Sequence, residues 1–268
     1  MHDLQVNRPS TAVSVDDLKL EIRAALDLSR RMGFRAIDIG AVRGPVSPEE
    51  MTRTAQRHFK KHLDDIGLRM SSLRGPTGGR GYADPAEGDR RLAAMRRIIA
   101  LASDMRVPVV STILGPAGQE MSDDAQSRLR EALEVMASDS DRLGITVAIE
   151  TAGISTPSLK DVLRQINCPS LLACCDSGAM LMQGEDPHRI ADLLGGRIGL
   201  VRARDAIAGS PGAMGHEVAM GEGQLSPSAL LAALAESGYS GDLVMTRSFG
   251  PQVVADLVRA RETFDTES

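Results

Sequence analysis

The sequence has few aromatic residues and no tryptophan: aromatic side chains make up 2% of the chain. Proteins that bind single-stranded nucleic acid stack bases on such side chains, so a base-stacking surface is not expected. The formal net charge is −5, which also disfavours general affinity for nucleic acid or anionic membrane. Neither nucleic acid nor a membrane is therefore expected as a partner.

Long hydrophobic runs and a leader sequence are also missing. No apolar run approaches the roughly 20 residues that a spanning helix needs, and the N-terminal residues MHDLQVNRPST contain no signal-peptide core. Cys168, Cys174 and Cys175 are odd in number and clustered around one predicted strand, which indicates reduced core thiols. A cysteine metal site is not expected, because neighbours on a strand point to opposite faces. Together these features predict a cytoplasmic protein.

Three short apolar runs, at residues 145–150, 171–176 and 198–205, carry Glu150, Asp176 and Arg202 near their ends. Apolar runs of this length, separated by helical segments, are typical of buried parallel strands. Because side chains alternate along a strand, the three charged residues share faces with apolar neighbours two positions earlier. If those faces line one barrel, two acids and one arginine meet at its C-terminal mouth, where such folds keep their chemistry.

Strands and helices alternate along the whole chain without a long linker, which predicts one (β/α)8 TIM barrel domain, α/β with eight parallel strands, over residues 1–268. The predicted strands are 4–6, 35–40, 68–73, 107–114, 145–150, 171–176, 198–205 and 242–247. The predicted helices begin near residues 14–16, 48, 84, 122, 157, 186, 226 and 251, and residues 263–268 are expected to fray.

Two glycine-containing loops are predicted to lie over the mouth, at residues 74–82 and 206–223. The first contains Arg74 and three glycines whose backbone amides could approach an anion. A mobile loop over the mouth is the other interpretation, and the sequence leaves both open. The second loop contains His216.

Several motifs together resemble the xylose isomerase-like TIM barrels, the sugar phosphate isomerase/epimerase superfamily. They are residues 33–39 (GFRAIDI), 145–150 (ITVAIE), 176–178 (DSG), 204–205 (RD), 221–223 (GEG) and 238–241 (GYSG). The resemblance runs from about Val15 to Phe264. It implies a carbohydrate-metabolism enzyme of the isomerase class.

The resemblance also implies a metal site, which this sequence lacks in part. Family members bind a divalent ion through Glu, Asp, His and Glu at the ends of four strands. Glu150 and Asp176 match the first two, whereas the third falls on Arg202 and the fourth on Thr246. A guanidinium does not deprotonate and would repel the ion. No metal ligands and no cofactor are therefore expected; Mn, Mg, Co or Zn at Glu150 and Asp176 is the alternative.

The expected function is proton transfer α to a carbonyl of a small sugar, polyol or keto acid, without the usual divalent metal. Glu150 is the candidate base and Arg202 a fixed cation that stabilises an enediolate. The resemblance also makes a catalytic candidate of Asp176. His216 is a further candidate, as an acid that approaches from its loop. Candidate substrate-binding residues are Asp38, Arg74, Arg204, Asp205, Thr246 and Arg247.

A second interpretation stays open. Glu150, Asp176 and Arg202 would form a buried salt-bridge cluster in a catalytically inactive barrel that binds a small anion or a protein partner. An enzyme should keep a polar pocket through which solvent reaches Glu150, whereas an inactive barrel should have this space filled by side chains. Endonuclease IV-like chemistry is not expected, because it needs several metals and many His ligands, and the chain has only 5 His. A homo-oligomer is left open.

Overall fold

The computed structural model describes residues 9–115, 121–210 and 213–267. The strands are β1 Thr11–Ser14, β2 Ala36–Gly40, β3 Arg69–Arg74, β4 Val109–Thr112, β5 Thr146–Glu150, β6 Leu171–Asp176, β7 Ile198–Ala203, β8 Asp205–Ile207, β9 His216–Val218 and β10 Leu243–Met245. The helices are α1 Ile22–Arg31, α2 Arg53–Ile66, α3 Gly88–Met105, α4 Asp123–Leu143, α5 Thr156–Ile166, α6 Ser177–Met182, α7 Ile190–Leu194, α8 Pro227–Glu236 and α9 Val253–Glu267.

Eight of the strands form a closed barrel in the order β1-β2-β3-β4-β5-β6-β7-β10, and β10 pairs with β1 to close it. All of these pairings are parallel. The predicted parallel eight-stranded TIM barrel is therefore confirmed. No helix in the described part of the chain is both long and apolar enough to cross a membrane.

The inside of the barrel is built from two kinds of layer. A small apolar cluster, separate from the larger core between strands and helices, consists of Ala12, Ala36, Ala148, Cys174, Leu200 and Val244. Two residues further along the chain from these stand Ser14, Asp38, Glu150, Asp176 and Arg202, on the same strands, and Thr246, directly after β10. Because side chains alternate along a strand, this second set also faces inward, one layer closer to the C-terminal mouth. The alternation predicted from the sequence for Glu150, Asp176 and Arg202 is confirmed.

The first strand was misplaced. The structure places β1 at Thr11–Ser14, whereas the predicted strand 4–6 lies outside the described residues. The helix predicted from residue 14 or 16 begins only at Ile22. Asp16, one of the two residues at which the helix was predicted to begin, instead accepts a bond from the Gly40 N–H at 2.8 Å. The adjacent Asp17 accepts one from the Arg247 N–H at 2.9 Å. These contacts tie the segment after β1 to neighbouring strands.

Two later helices also begin further along than predicted. Thr52, whose side chain accepts from the Ala55 N–H, caps α2, so the helix starts at Arg53. Asp84 accepts from the N–H groups of Ala86 and Glu87, and this local turn delays α3 to Gly88. In both cases a side chain that bonds to nearby backbone sets the boundary.

The segment after β6 and the C-terminus differ from the prediction as well. Asp176 caps α6 directly at the end of β6, and the single helix predicted from residue 186 is a 3-10 turn, Pro187–Arg189, followed by the short α7. The predicted loop 206–223 contains an antiparallel hairpin of β8 and β9. Helix α9 continues to Glu267 instead of fraying from 263, and Phe264 is fully buried in the core.

Candidate functional site

A pair of buried charges crosses the barrel mouth. The Arg202 guanidinium on β7 donates to both carboxylate oxygens of Asp38 on β2, at 2.8 and 3.1 Å. Its Nη2 also donates to Ser111 Oγ at 2.9 Å, and Ser72 Oγ donates to Asp38 Oδ1 at 2.6 Å. Arg202 is 1% exposed. Side chains from the four strands β2, β3, β4 and β7 thus form one buried hydrogen-bond network.

Glu150 joins the same network from β5. Arg74 holds it with two parallel bonds, from Nε to Oε1 at 3.1 Å and from Nη2 to Oε2 at 2.9 Å. Ser111 Oγ donates to Oε1 at 3.1 Å, and Arg202 Nε lies 3.5 Å from the same oxygen. Burial alone would raise the pKa of Glu150, but the two arginines and these hydrogen bonds outweigh it and lower the pKa to about 2.

The burial of these partners is unequal. Glu150 is 0% exposed, whereas the Arg74 side chain is 27% exposed at the mouth. Arg74 is therefore the member of the network that borders solvent. The two carboxylates of Asp38 and Glu150 balance the two guanidinium groups of Arg74 and Arg202, so the cluster has no net charge.

Asp176 belongs to a second network, so Glu150, Asp176 and Arg202 do not form the single salt-bridge cluster of the second interpretation. Arg204 Nε donates to Asp176 Oδ1 at 2.7 Å, and Arg204 Nη1 donates to Glu217 at 3.0 Å. Arg202 instead reaches past its neighbouring strands to Asp38, whose two oxygens match the guanidinium fork.

Glu217 is a residue of this second network that the sequence did not single out. It lies on β9 and accepts from Arg247 Nη1 at 3.3 Å and from the Ser248 N–H at 3.0 Å, besides its bond with Arg204. Arg247 continues the network to Asp256 at 2.9 Å. Glu217 therefore ties the hairpin to the strand ends of the mouth. An acid inside a glycine-rich stretch gives no pattern that would have marked it.

Two sequence candidates lie apart from the charged networks. The carboxylate of Asp205 accepts hydrogen bonds from the N–H groups of Ala206, Gly221, Gly223 and Leu225. It thereby holds together the connection between β7 and α8. His216 is exposed on β9, opposite Ile207. The structure does not bring either side chain to Glu150 or Arg202.

The loop that follows Arg74 is held down by Arg91. This buried arginine donates to the carbonyl oxygens of Pro76 and Ile113 at 2.9 and 3.0 Å and to that of Gly78, and it lies over the Tyr82 ring at 5.0 Å. An arginine that binds carbonyls fixes the loop to the barrel.

A cavity of about 310 Å³ lies away from the mouth, on the outer layer between α4 and α5. It is lined in part by Leu129, Leu133, Asp161 and Val162. Its lining lacks the clustered charges found at the mouth. We therefore take the mouth, with Glu150 and Arg202, as the candidate functional site. Across residues 9–115, 121–210 and 213–267, no three His, Cys, Asp or Glu side chains are grouped as a metal site would require.

The chain is similar to known barrels over nearly its full length. A family model described as xylose isomerase-like TIM barrel matches residues 26–263. A search of curated proteins finds no match.

Solved structures agree with the family match in their fold. A xylose isomerase domain protein from Planctomyces limnophilus is 22% identical, with 97% of this chain and 96% of that chain covered and a TM-score of 0.82. An L-ribulose 3-epimerase is 18% identical, with 97% and 95% covered and a TM-score of 0.77. A xylose isomerase-like TIM barrel protein from Mycobacterium smegmatis, in complex with magnesium, is 17% identical, with 97% and 96% covered and a TM-score of 0.78. At these identities the likeness shows the fold alone.

Proposed function

The chain belongs to the xylose isomerase-like TIM barrel family, and on this premise we propose that its mouth binds a small sugar, polyol or keto acid without a divalent metal ion. The observation that carries the proposal is the position of Arg202. Its guanidinium lies inside the barrel between Asp38 and Glu150 and supplies a fixed positive charge there.

The residues present do not suit a divalent ion. Both oxygens of Glu150 already accept hydrogen bonds, and Asp176 Oδ1 accepts from Arg204 and from the Ala179 N–H. Arg202 keeps its charge at any accessible pH. A unit charge about 4 Å from a divalent ion costs several kcal/mol even at an effective dielectric near 20. One contact between the ion and the Thr246 hydroxyl would not offset this repulsion.

The reaction proposed for this site is proton transfer α to a carbonyl, in which one base removes the proton to give an enediolate and returns it to the neighbouring carbon, so that isomers interconvert. Glu150 is the base, and Arg202 stabilises the negative oxygen of the enediolate. The pKa of about 2 makes Glu150 a poor base while Arg74 is bound to it. Arg74 must therefore leave the carboxylate before the proton moves, and its exposure at the mouth makes it the partner able to do so.

A catalytically inactive barrel that binds a small ligand is the second candidate. The specific observation in its favour is the complete burial of Glu150 together with its low pKa. While Arg74 remains bound, Glu150 is neither open to a substrate nor basic enough to take its proton. Arg74 binds both oxygens of Glu150 and is itself partly exposed, which fits the filled mouth that the inactive interpretation expects.

Solvent exchange distinguishes the two candidates. D-Tagatose, L-ribulose and pyruvate are incubated with the protein in D2O, and deuterium at the carbon next to the carbonyl is followed by NMR. The enzyme proposal expects exchange that persists in EDTA and that falls at least about 100-fold in Glu150→Gln. Asp161→Asn, on the outer cavity, is the control and should exchange as the unmodified protein does.

Binding without exchange would favour the inactive barrel. Exchange that EDTA abolishes and Mn²⁺ restores would overturn the metal-free proposal.

A further inference from the structure

Two hydroxyl groups of the mouth have no hydrogen-bond partner within the described residues: Ser14 Oγ and Thr246 Oγ1. Ser14 is 1% exposed and Thr246 8% exposed. They belong to the inward-facing polar layer in which Asp38, Glu150 and Asp176 are all paired. Buried polar atoms without partners are rare in folded proteins, and each one calls for an explanation such as a bound water or ligand.

The two hydroxyls are neighbours on the barrel wall. Ser14 ends β1, Thr246 follows β10 directly, and β1 pairs with β10. These same two strands separate β7, which carries Arg202, from β2, which carries Asp38. The Arg202–Asp38 ion pair therefore spans the sector of the mouth that contains both hydroxyls. The rest of the layer, from β2 round to β7, holds the paired groups.

The chemistry of this sector fits a neutral ligand that carries hydroxyl groups. A serine or threonine hydroxyl both donates and accepts, so two of them match the hydroxyl and carbonyl oxygens of a sugar or polyol. Before any proton moves, Glu150 is ionised, and Arg202 is already balanced by Asp38 and Glu150. This leaves no spare positive charge for a phosphate or carboxylate that binds as an anion. An anion here would also meet the buried carboxylate of Asp38.

We propose that Ser14 and Thr246 form the ligand-binding pair of the mouth and that they select a neutral ketose or polyol over an anionic keto acid or sugar phosphate. This inference rests on the proposed function and narrows its substrate class. It does not require catalysis. A resident water between the two hydroxyls would satisfy the same atoms, and the experiment separates that outcome from ligand binding.

The test compares Ser14→Ala and Thr246→Val with Ser72→Ala, a matched hydroxyl in the same layer that is bonded to Asp38. Each protein is titrated with D-tagatose, myo-inositol and inorganic phosphate by saturation-transfer NMR and isothermal titration calorimetry, and its Tm is measured without ligand. The Ser14 and Thr246 variants should keep or raise the Tm, because each removes a buried hydroxyl with no partner. Ser72→Ala should lower it, because Asp38 loses a bond.

In the same proteins, affinity for tagatose or inositol should fall at least about tenfold in each of the two variants, the effect of one lost hydrogen bond or more, while phosphate should not bind the unmodified protein. Unchanged affinity in both variants, binding of phosphate in preference to the neutral ligands, or no binding of tagatose and inositol to the unmodified protein would each overturn the inference. So would a Tm loss in both variants together with a crystal structure showing a resident water only. Loss of neutral-ligand binding without any solvent exchange would support the inference and reject the catalytic proposal.

Discussion

Arg202 and Asp38, 164 positions apart in the sequence, form a two-bond ion pair inside the barrel, with Nη1–Oδ2 at 2.8 Å and Nη2–Oδ1 at 3.1 Å. Neither side chain is reached by solvent to more than 1%. Charges removed from water to this extent persist only where partners satisfy them. The pair therefore sets the stability of the mouth as well as its chemistry.

Replacing Arg202 by Met should destabilise the protein by about 3–5 kcal/mol, because Asp38 is left buried without its counter-charge. The free energy of unfolding in urea measures the loss. Lys61→Met, which breaks a pair between exposed side chains with Asp65, is the control and should change stability by about 0.5 kcal/mol or less. Adding Asp38→Asn to Arg202→Met should recover part of the loss. A loss below about 1 kcal/mol in Arg202→Met would show that Asp38 finds another partner.

Glu150 should contribute to acid denaturation. Its pKa is about 2 in the folded protein against an ordinary value of 4.5. A pKa lowered by folding stabilises the protein above the unfolded value, and this stabilisation is lost as the pH falls from about 4.5 toward 2. The loss is roughly 3 kcal/mol for a group this buried. Unfolding in urea at pH 6 and at pH 2.5 should show a smaller difference for Glu150→Gln than for the unmodified protein.

Asp139 and Asp242, whose pKa values are also lowered, titrate in both of these proteins. The difference between the two pH dependences therefore isolates Glu150. Parallel curves would mean that Glu150 is not charged in the folded state.

The protein as purified should carry well under one equivalent of divalent metal, and EDTA should leave its Tm unchanged. The reason is that guanidinium groups occupy the oxygens of Glu150 and Asp176 that would bind the ion. Elemental analysis by mass spectrometry and differential scanning fluorimetry measure both quantities. Stoichiometric Mn, Mg, Co or Zn bound by these two carboxylates would contradict the proposal.

Restoring a divalent-metal site should require more than substitutions at positions 202 and 246, the two that depart from the family's ligand set. Arg202→His with Thr246→Glu completes a set of four ligands, but Arg74 and Arg204 still hold the two native carboxylates. We expect weak Mn²⁺ binding in this double variant and at least about tenfold tighter binding once Arg204→Ser is added, because Asp176 is then free. Isothermal titration calorimetry measures the Mn²⁺ affinity of the double and the triple variant. Equal affinity in both would show that Arg204 does not compete.

Glu217 should hold the β8–β9 hairpin against the mouth. Glu217→Gln removes the charge that joins Arg204 and Arg247, so amide hydrogen exchange in β8 and β9 should speed up by about tenfold or more. The matched control is Glu222→Gln, in the same excursion, whose partner Arg259 is exposed. That variant should exchange at the normal rate. If both variants exchanged alike, the hairpin would be held by its backbone contacts alone.

The sequence predicted the barrel layer in which the mouth residues lie better than it predicted their ion-pair partners. Alternation along buried strands is enough to place Glu150, Asp176 and Arg202 in one layer, because it depends only on local geometry. The partner of Arg202 depends instead on how far a long side chain reaches across a closed barrel. Several acids lay within that reach, and the sequence gives no preference for Asp38 over Asp176.

Other parts of the site were hidden by local patterns. The sequence predicts the first strand at residues 4–6 and a helix from residues 14–16, whereas Ser14 ends β1, so its position in the polar layer was missed. Strands β8 and β9 have 3 residues each, too few for periodicity to show. Glu217, which lies on β9, was missed with them.

The neutral cluster of Asp38, Glu150, Arg74 and Arg202 also restricts how the protein can change over generations. A single replacement that removes the charge of Arg202 or Asp38 leaves the other ion buried without its counter-charge and lowers stability. A lineage moving toward metal binding would have to pass through such unstable intermediates or change two positions at once. Single substitutions in the charged cluster are therefore costly in stability. New ligand specificity is more accessible through substitutions at the uncharged positions 14 and 246.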